Sequence, residues 1–336
     1  MLVAFGEAMI RLSPPGFQRF EQATSFEIRV GGAELNTAAG FVRFGHEASW
    51  ISALPDTPLG HLVLGRARET GVDVSGVSLV EDGRCGLYFL EHGAAPRPGS
   101  VVYDRTSTAI AAAVPGSSGF WGGWKPGTFD WKVIFDGATW FHTSGIAPAL
   151  SSSCAAVVRE ALQAARQAGV HTSFDLNYRS KLWSAEKAGS VLSGLLEFVD
   201  VLFAGASDAR TLFDSNASDF GEAAMQFRAK FGCRSVATIE RDATGVWKER
   251  LRGLGYADDT LFETAWHDIE VVDRVGAGDA FAAGVLHGLE SGDFGHGIDC
   301  GAAAAALQHT VPGDLPGYTK DDVAAVLEGQ GLRLKR

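Results

Sequence analysis

The chain is poor in cysteine, in clustered basic residues and in long apolar runs, and each shortage removes a class of function. Among its 336 residues are four cysteines, Cys85, Cys154, Cys233 and Cys300. They lie far apart without a Cys-x-x-Cys pair, so they read as reduced core thiols rather than a disulfide framework or a zinc site. The nine histidines show no His-x-x-x-His spacing and read as core or surface residues rather than metal ligands. A formal charge of -11 without a Lys/Arg block argues against nucleic acid or an anionic membrane as the main partner. No apolar run reaches the length of a membrane span. Leu2 to Ile10 is followed by Arg11 and two prolines instead of a cleavage site, which reads as a first strand in a cytoplasmic chain. There is no internal repeat and no linker, so residues 1–336 are expected to form a single domain. At 46% hydrophobic and 21% charged, they can bury one large core or two modest ones.

From about residue 145 onward, β-like apolar runs alternate with helical patterns, the signature of crossover units around a mostly parallel sheet. Ser151 to Ser153 can cap a helix whose Val157, Val158, Ala161, Leu162 and Ala165 share one face. Gly169 ends it before a strand over Val170 to Leu176. Leu195 to Asp200 feeds the strand Val201 to Phe203, and Ala223 to Phe231 forms a helix closed by Gly232 before the strand Ser235 to Ile239. The expected fold class is a doubly wound, three-layer α/β arrangement. Its crevice lies beyond the carboxyl ends of the strands, where loops at Asn177, Gly205, Asp242 and Gly276 would open. Two segments break the alternation, about 11–31 and 84–108, with short extended runs such as Gly86 to Leu90 and Val101 to Arg105. They read as a small separate β-sheet placed to act as a lid over the crevice. The Gly- and Trp-rich stretch 116–129 fits neither pattern.

The segment Asp273-Arg274-Val275-Gly276-Ala277-Gly278-Asp279 lies between a β-branched run and an apolar helix. Helix-start N–H groups lack intrahelical partners and sit at the positive end of the dipole, so this turn can hold a phosphoryl group with the Asp279 carboxylate beside it. That combination suits phosphoryl transfer to a hydroxyl. The plain alternative is a glycine-rich turn with Asp279 as a helix cap.

Together with Gly31-Gly32-Ala33-Glu34-Leu35-Asn36, this segment resembles the paired signatures of the ribokinase-like (PfkB) carbohydrate kinases, over nearly the whole chain. Within that family, Gly86-Leu87-Tyr88, Tyr103-Asp104-Arg105, Ser144-Gly145-Ile146 and Asp175 to Arg179 are most similar to 2-keto-3-deoxygluconate kinases. The resemblance implies a ribokinase-like fold, ATP and Mg²⁺, Asp279 as catalytic base, and Gly276, Ala277 and Gly278 as the anion hole. It implies a sugar site at Gly32, Asn36, Tyr88, Tyr103, Arg105, Ile146 and Arg179, and a homodimer through the lid. On physical grounds Tyr103 and Arg105 share one strand face, and a guanidinium pairs with a carboxylate through two parallel hydrogen bonds. Arg105 and Arg179 as surface charges, and Asn36 as a satisfied core amide, are the plain alternatives.

Three places depart from the family pattern. Gly205-Ala206-Ser207-Asp208 replaces Asn-x-x-Glu, so Asp208 is expected to meet magnesium only through water and no residue to ligate it directly. In Glu240 to Gly245 only Gly245 of two nucleotide-loop glycines is kept, with Arg241 beside the nucleotide and Asp242 bringing negative charge towards its phosphates. Arg274 stands where a Thr is usual, either offsetting Asp242 or lying exposed in a loop. Gly313-Asp314 can point to the sugar pocket, but a turn is the more economical reading. The expected activity is transfer of the ATP γ-phosphoryl group to the primary hydroxyl of a keto-sugar acid, first of all 2-keto-3-deoxygluconate. A kinase for a neutral sugar such as fructose is the rival enzyme reading, and a sugar-binding pseudo-kinase is the rival from another class.

Overall fold

The computed structural model of the chain describes residues 1–81, 83–111, 129–243 and 245–329. The Gly/Trp-rich stretch 116–129 falls almost wholly outside them. Local sequence signals set the helix limits. Ser151 accepts the backbone N–H of Cys154 and starts the helix Ser152–Gln167, and Gly169 follows its end at φ +73°. Asp219 caps Phe220–Phe231 in the same way, and Gly232 closes it in the left-handed region. These glycines adopt a backbone conformation that side chains with a Cβ resist.

Ten strands form one large sheet in the order Thr260–Glu263, Lys248–Ala257, Ser235–Ala243, Val201–Phe203, His171–Asp175, Trp140–Ser144, Leu2–Phe5, Ala48–Pro55 and Val77–Val80, with His267–Glu270 also paired to Lys248–Ala257. From Ser235–Ala243 to Val77–Val80 every pairing is parallel, and the Lys248–Ala257 edge is antiparallel. Helices cover both faces. One face packs Phe141, Phe174, Leu202 and Val236 against Ser152–Gln167, and the other packs Trp50 and Phe203 beneath Ala33–Arg43 and Ala277–Glu290. The central strands are buried on both sides under the two helical layers, including the polar His142, Thr143, Ser144, Thr172 and Ser173.

A second, four-stranded sheet runs Glu27–Gly31, Met9–Ser13, Gly86–Glu91 and Ser100–Asp104, starting two residues before the first of the two segments that broke the alternation. Its strands enter directly from the large sheet: Leu2–Phe5 leads through Gly6-Glu7-Ala8 into Met9–Ser13. Among the described residues no helix is long and apolar enough to cross a membrane.

Candidate active site

The strand ends of the large sheet, the small sheet and the start of the Ala277–Glu290 helix enclose a cleft of about 460 Å³. The helix start is built by Asp273, which is 1% exposed. Its carboxylate accepts the backbone N–H groups of Arg274 at 2.8 Å and Gly313 at 2.9 Å, and the Arg11 guanidinium at 2.6 Å. The first aspartate of the motif is therefore the turn's internal brace. Gly276 adopts φ +84°, and a Cβ on it would lie 2.4 Å from the Asp314 carbonyl oxygen. At Gly278 a Cβ would meet nothing within 4 Å, because this residue faces the open cleft. Ala277, Gly278 and Asp279 are the first three helical residues and line the cleft, so their N–H groups have no partner within the helix.

Asp279 is braced from the Ala33–Arg43 helix. The Asn36 amide donates to its Oδ2 at 2.7 Å, while Asn36 Oδ1 accepts the Gly32 N–H at 3.3 Å. Asn36, expected to meet sugar hydroxyls, thus ties the Gly31-Gly32 turn to the carboxylate. Burial raises Asp279 to about 6, and the Asn36 hydrogen bond, Arg179 and Arg241 pull it down against that trend. Asp175, at the end of its strand, is raised further, to about 7, by burial and by Asp279. Its Oδ1 accepts the N–H of Asn177, a residue held at φ +37°.

On the small-sheet side, Tyr88 and Tyr103 are cross-strand partners whose rings stack with centroids 5.8 Å apart. Both line the cleft, as do Gly32, Ile146, Arg105 and Arg179. Three cleft residues have neighbours the sequence did not show. Arg105 forms a buried ion pair with Glu7, which also accepts the Thr108 hydroxyl, while its Nε–H has no partner among the described residues. Gly32 is required by packing, since a Cβ would lie 2.0 Å from the Glu7 carbonyl oxygen. Asp314 is more than a turn residue, for it is 3% exposed, lines the cleft, and accepts Tyr88 Oη–H and Arg11.

On the opposite side the strand Ser235–Ala243 runs past Ile239, so the supposed loop at Glu240 to Asp242 is β-structure. Alternation then separates neighbours: Arg241 opens onto the cleft, while Asp242 turns away and pairs with Arg250 at 2.8 Å. Asp242 brings no charge to the cleft. Gly245 does not line it either, but gives its carbonyl to Arg274 at 3.5 Å. Arg274 lines the cleft and is held by buried Glu249 and by the Val246 carbonyl at 2.7 Å. Asp208 lines the cleft and accepts the Gly205 N–H at 2.9 Å, capping its own helix. Its carboxyl is raised by burial.

The structure therefore brings Gly32, Asn36, Tyr88, Tyr103, Arg105, Ile146, Arg179, Asp208, Arg241 and Gly276 to Asp279 onto one cleft, and leaves Gly245 outside it. Sequence reasoning missed Arg11, Glu7 and Asp175 as parts of this site. Arg11 left a usable signal, a lone charge in the strand Met9–Ser13 between apolar Ile10 and Leu12.

Residues 1–320 match the pfkB family carbohydrate kinase description. The chain is 40% identical over 336 residues to the 2-dehydro-3-deoxygalactonokinase of Haloferax volcanii, covering 100% of this chain and 99% of that protein. Its fold matches the crystal structure of the Thermotoga maritima 2-dehydro-3-deoxygluconokinase with a TM-score of 0.90 at 36% identity, covering 98% of each chain. It also matches a Xylella fastidiosa fructokinase with bound ATP at a TM-score of 0.77 and 23% identity, covering 98% of each, a likeness of fold. With the helix-start turn and the Gly31-Gly32 turn meeting at Asp279, the chain belongs to the pfkB family of carbohydrate kinases.

Proposed function

We propose that this cleft transfers the γ-phosphoryl group of ATP to the primary hydroxyl of 2-keto-3-deoxygluconate or its galactonate epimer. The observation that carries the reading is Asp279, fixed by Asn36 at 2.7 Å beside the free N–H groups of a helix start. A carboxylate near 6 is ionised at neutral pH and basic enough to take a proton in flight. The hydroxyl proton passes to Asp279, the new O–P bond forms, the bond to the leaving ADP oxygen breaks, and the backbone N–H groups of Ala277, Gly278 and Asp279 receive the developing charge. Arg179 and Arg241, which line the same cleft, supply fixed positive charge towards phosphate or substrate carboxylate.

The residues present fit a magnesium nucleotide. Asp208 offers a carboxylate on the cleft whose Oδ2 is already engaged by the Gly205 N–H, which suits a water-mediated contact better than a direct bond. Magnesium, when bound, neutralises charge on the polyphosphate. The outer face of the small sheet exposes Ile28 at 55% and Val102 at 49%, and we assign the homodimer contact to it. A monomer by sedimentation at micromolar concentration would remove that assignment.

One observation favours the neutral-sugar reading. The buried Glu7 neutralises Arg105, so the acid would be read by Arg179 rather than by two arginines. ADP release with Mg²⁺-ATP and a panel of acceptors separates the two. Both keto-sugar acids are expected to exceed fructose in kcat/KM by roughly 10²-fold or more; fructose equal to or better than either acid overturns the choice of substrate. Asp279→Asn is expected to lose about 10²–10⁴ in kcat while still binding the sugar acid. Turnover near wild type would take the proton-accepting role away from Asp279.

A further inference from the structure

The helix that holds Asp279 in its first turn carries a different chemistry at its far end. Glycines line the seam between Ala277–Glu290 and Phe294–Gln308. A Cβ on Gly284 would lie 2.5 Å from Gly301 backbone atoms, and one on Gly288 would lie 2.2 Å from Gly297. This close approach sets His287, just before Gly288, against His296, just before Gly297. His296 and Cys300 are one helical turn apart and share a face, with Nε2 3.4 Å from Sγ. One donor atom from each of His287, His296 and Cys300 falls within 4.8 Å of the others. Behind them His46 sets its Nε2 2.7 Å from His287 Nδ1. Phe41 stacks on His46 at 4.3 Å and Phe44 on His287 at 4.6 Å, so both imidazoles are held in orientation.

We propose that His287, His296 and Cys300 bind one borderline-soft divalent ion, Zn²⁺ by preference, with water completing the tetrahedron and His46 orienting His287. Two imidazoles and a thiolate exclude Mg²⁺ and Ca²⁺, which take oxygen, and select zinc and its neighbours. A tetrahedral ion with Zn–N of about 2.0–2.1 Å and Zn–S of about 2.3 Å has an N···S edge near 3.5 Å. The His296–Cys300 pair already spans that edge. Closing the others takes side-chain movement of about 1 Å within rotamer wells. His296 is exposed and gives the ion a path from solvent, while Cys300 is buried at 3%. Asp293, Asp299 and Glu290 lie near enough to favour a cation, and Lys320 opposes it. On binding, the thiol proton leaves to solvent as the Zn–S bond forms. The linear sequence hid this site, because only His296 and Cys300 share a helix. The ion would pin the two helices together two turns beyond Asp279.

The test uses the full chain without a polyhistidine tag, stripped of metal and titrated with Zn²⁺ and with Co²⁺. One equivalent per chain is expected, with a thiolate-to-cobalt charge-transfer band in the near ultraviolet and a raised Tm. Cys300→Ser should abolish that band. His296→Ala, at an exposed position that leaves the fold intact, should weaken zinc binding by at least tenfold. His46→Ala should weaken it by about 10–100-fold while keeping the band. Absence of saturable uptake by the wild-type chain overturns the proposal, as does unchanged zinc affinity in folded His296→Ala and Cys300→Ser.

Discussion

Replacing Asn36 with alanine should shift the acid limb of activity rather than simply lower it. The Asn36 amide is the one neutral donor among the groups that stabilise ionised Asp279, at 2.7 Å, and Arg179 and Arg241 act from farther off. A hydrogen bond to a charged group contributes about 1.5–3 kcal/mol, which is roughly one to two pKa units. Asp279, now near 6, should rise to between about 7 and 8 in Asn36→Ala. Its burial is unchanged, so nothing restores the ionised form. A base must be deprotonated to accept the hydroxyl proton, so kcat/KM falls as pH drops through its pKa. In the wild-type enzyme the fall should centre near 6; in the variant it should centre one to two units higher, with most of the loss recovered at pH 9. The assay is initial-rate ADP release with sugar acid at subsaturating concentration, from pH 5 to 9. An unmoved acid limb with a uniformly raised KM would refute the reasoning, and would make Asn36 a sugar contact and not a tuner of Asp279.

Two further outcomes follow from buried charge. Arg11 is 2% exposed and bridges Asp273 at 2.6 Å and Asp314 at 2.9 Å, so Arg11→Met leaves two carboxylates without their cation and should cost about 3–5 kcal/mol in urea unfolding; a loss below about 1 kcal/mol would mean that the carboxylates simply take up protons. Burial raises Glu34 from 4.5 to about 7, so its folded state holds a proton that the unfolded chain has released, and wild-type stability declines from below pH 4.5 until about 7. Glu34→Gln should remove roughly 3 kcal/mol of that decline between pH 4.5 and 8, read from the pH dependence of unfolding free energy rather than from its absolute value; parallel curves for the two proteins would show that Glu34 is not the group responsible.

What the sequence made legible was local. Ser151, Gly169 and Gly232 act within one turn of themselves, and the crossover units they delimit are where the pattern placed them. The small sheet was legible for the same reason, since alternation at Val101 to Arg105 is a property of adjacent residues. What failed was long-range. Arg105 meets Glu7 across 98 positions, and Arg11 meets Asp273 and Asp314 across 262 and 303. No spacing rule reaches that far, so the Glu7 partner of Arg105 was not legible. The Asp242 error had another origin. Ser235–Ala243 pairs with Lys248–Ala257 over nine consecutive positions, and this antiparallel partner extends the strand into what a parallel strand would have left as a loop. One extra turn of alternation sent Arg241 inward and Asp242 outward.

The same alternation bears on which carboxylate can act as the base. Asp175, Asp208 and Asp279 all line the cleft, and burial raises each of them. Asp175 is carried to about 7 partly by the charge on Asp279, so near neutrality it holds a proton for much of the time. Asp208 has its Oδ2 turned to the Gly205 N–H, which fits it to cap a helix and meet a hydrated cation. Asp279, like both of them, takes one neutral donor, here the Asn36 amide, which favours its ionised form and fixes one oxygen, leaving the other for a hydroxyl. It is also the only one of the three at the start of the helix whose N–H groups face the cleft, where accepted proton and transferred phosphoryl group are side by side. Position on the helix, rather than the carboxylate or its donor alone, is thus what supports the proposal of Asp279 as the base.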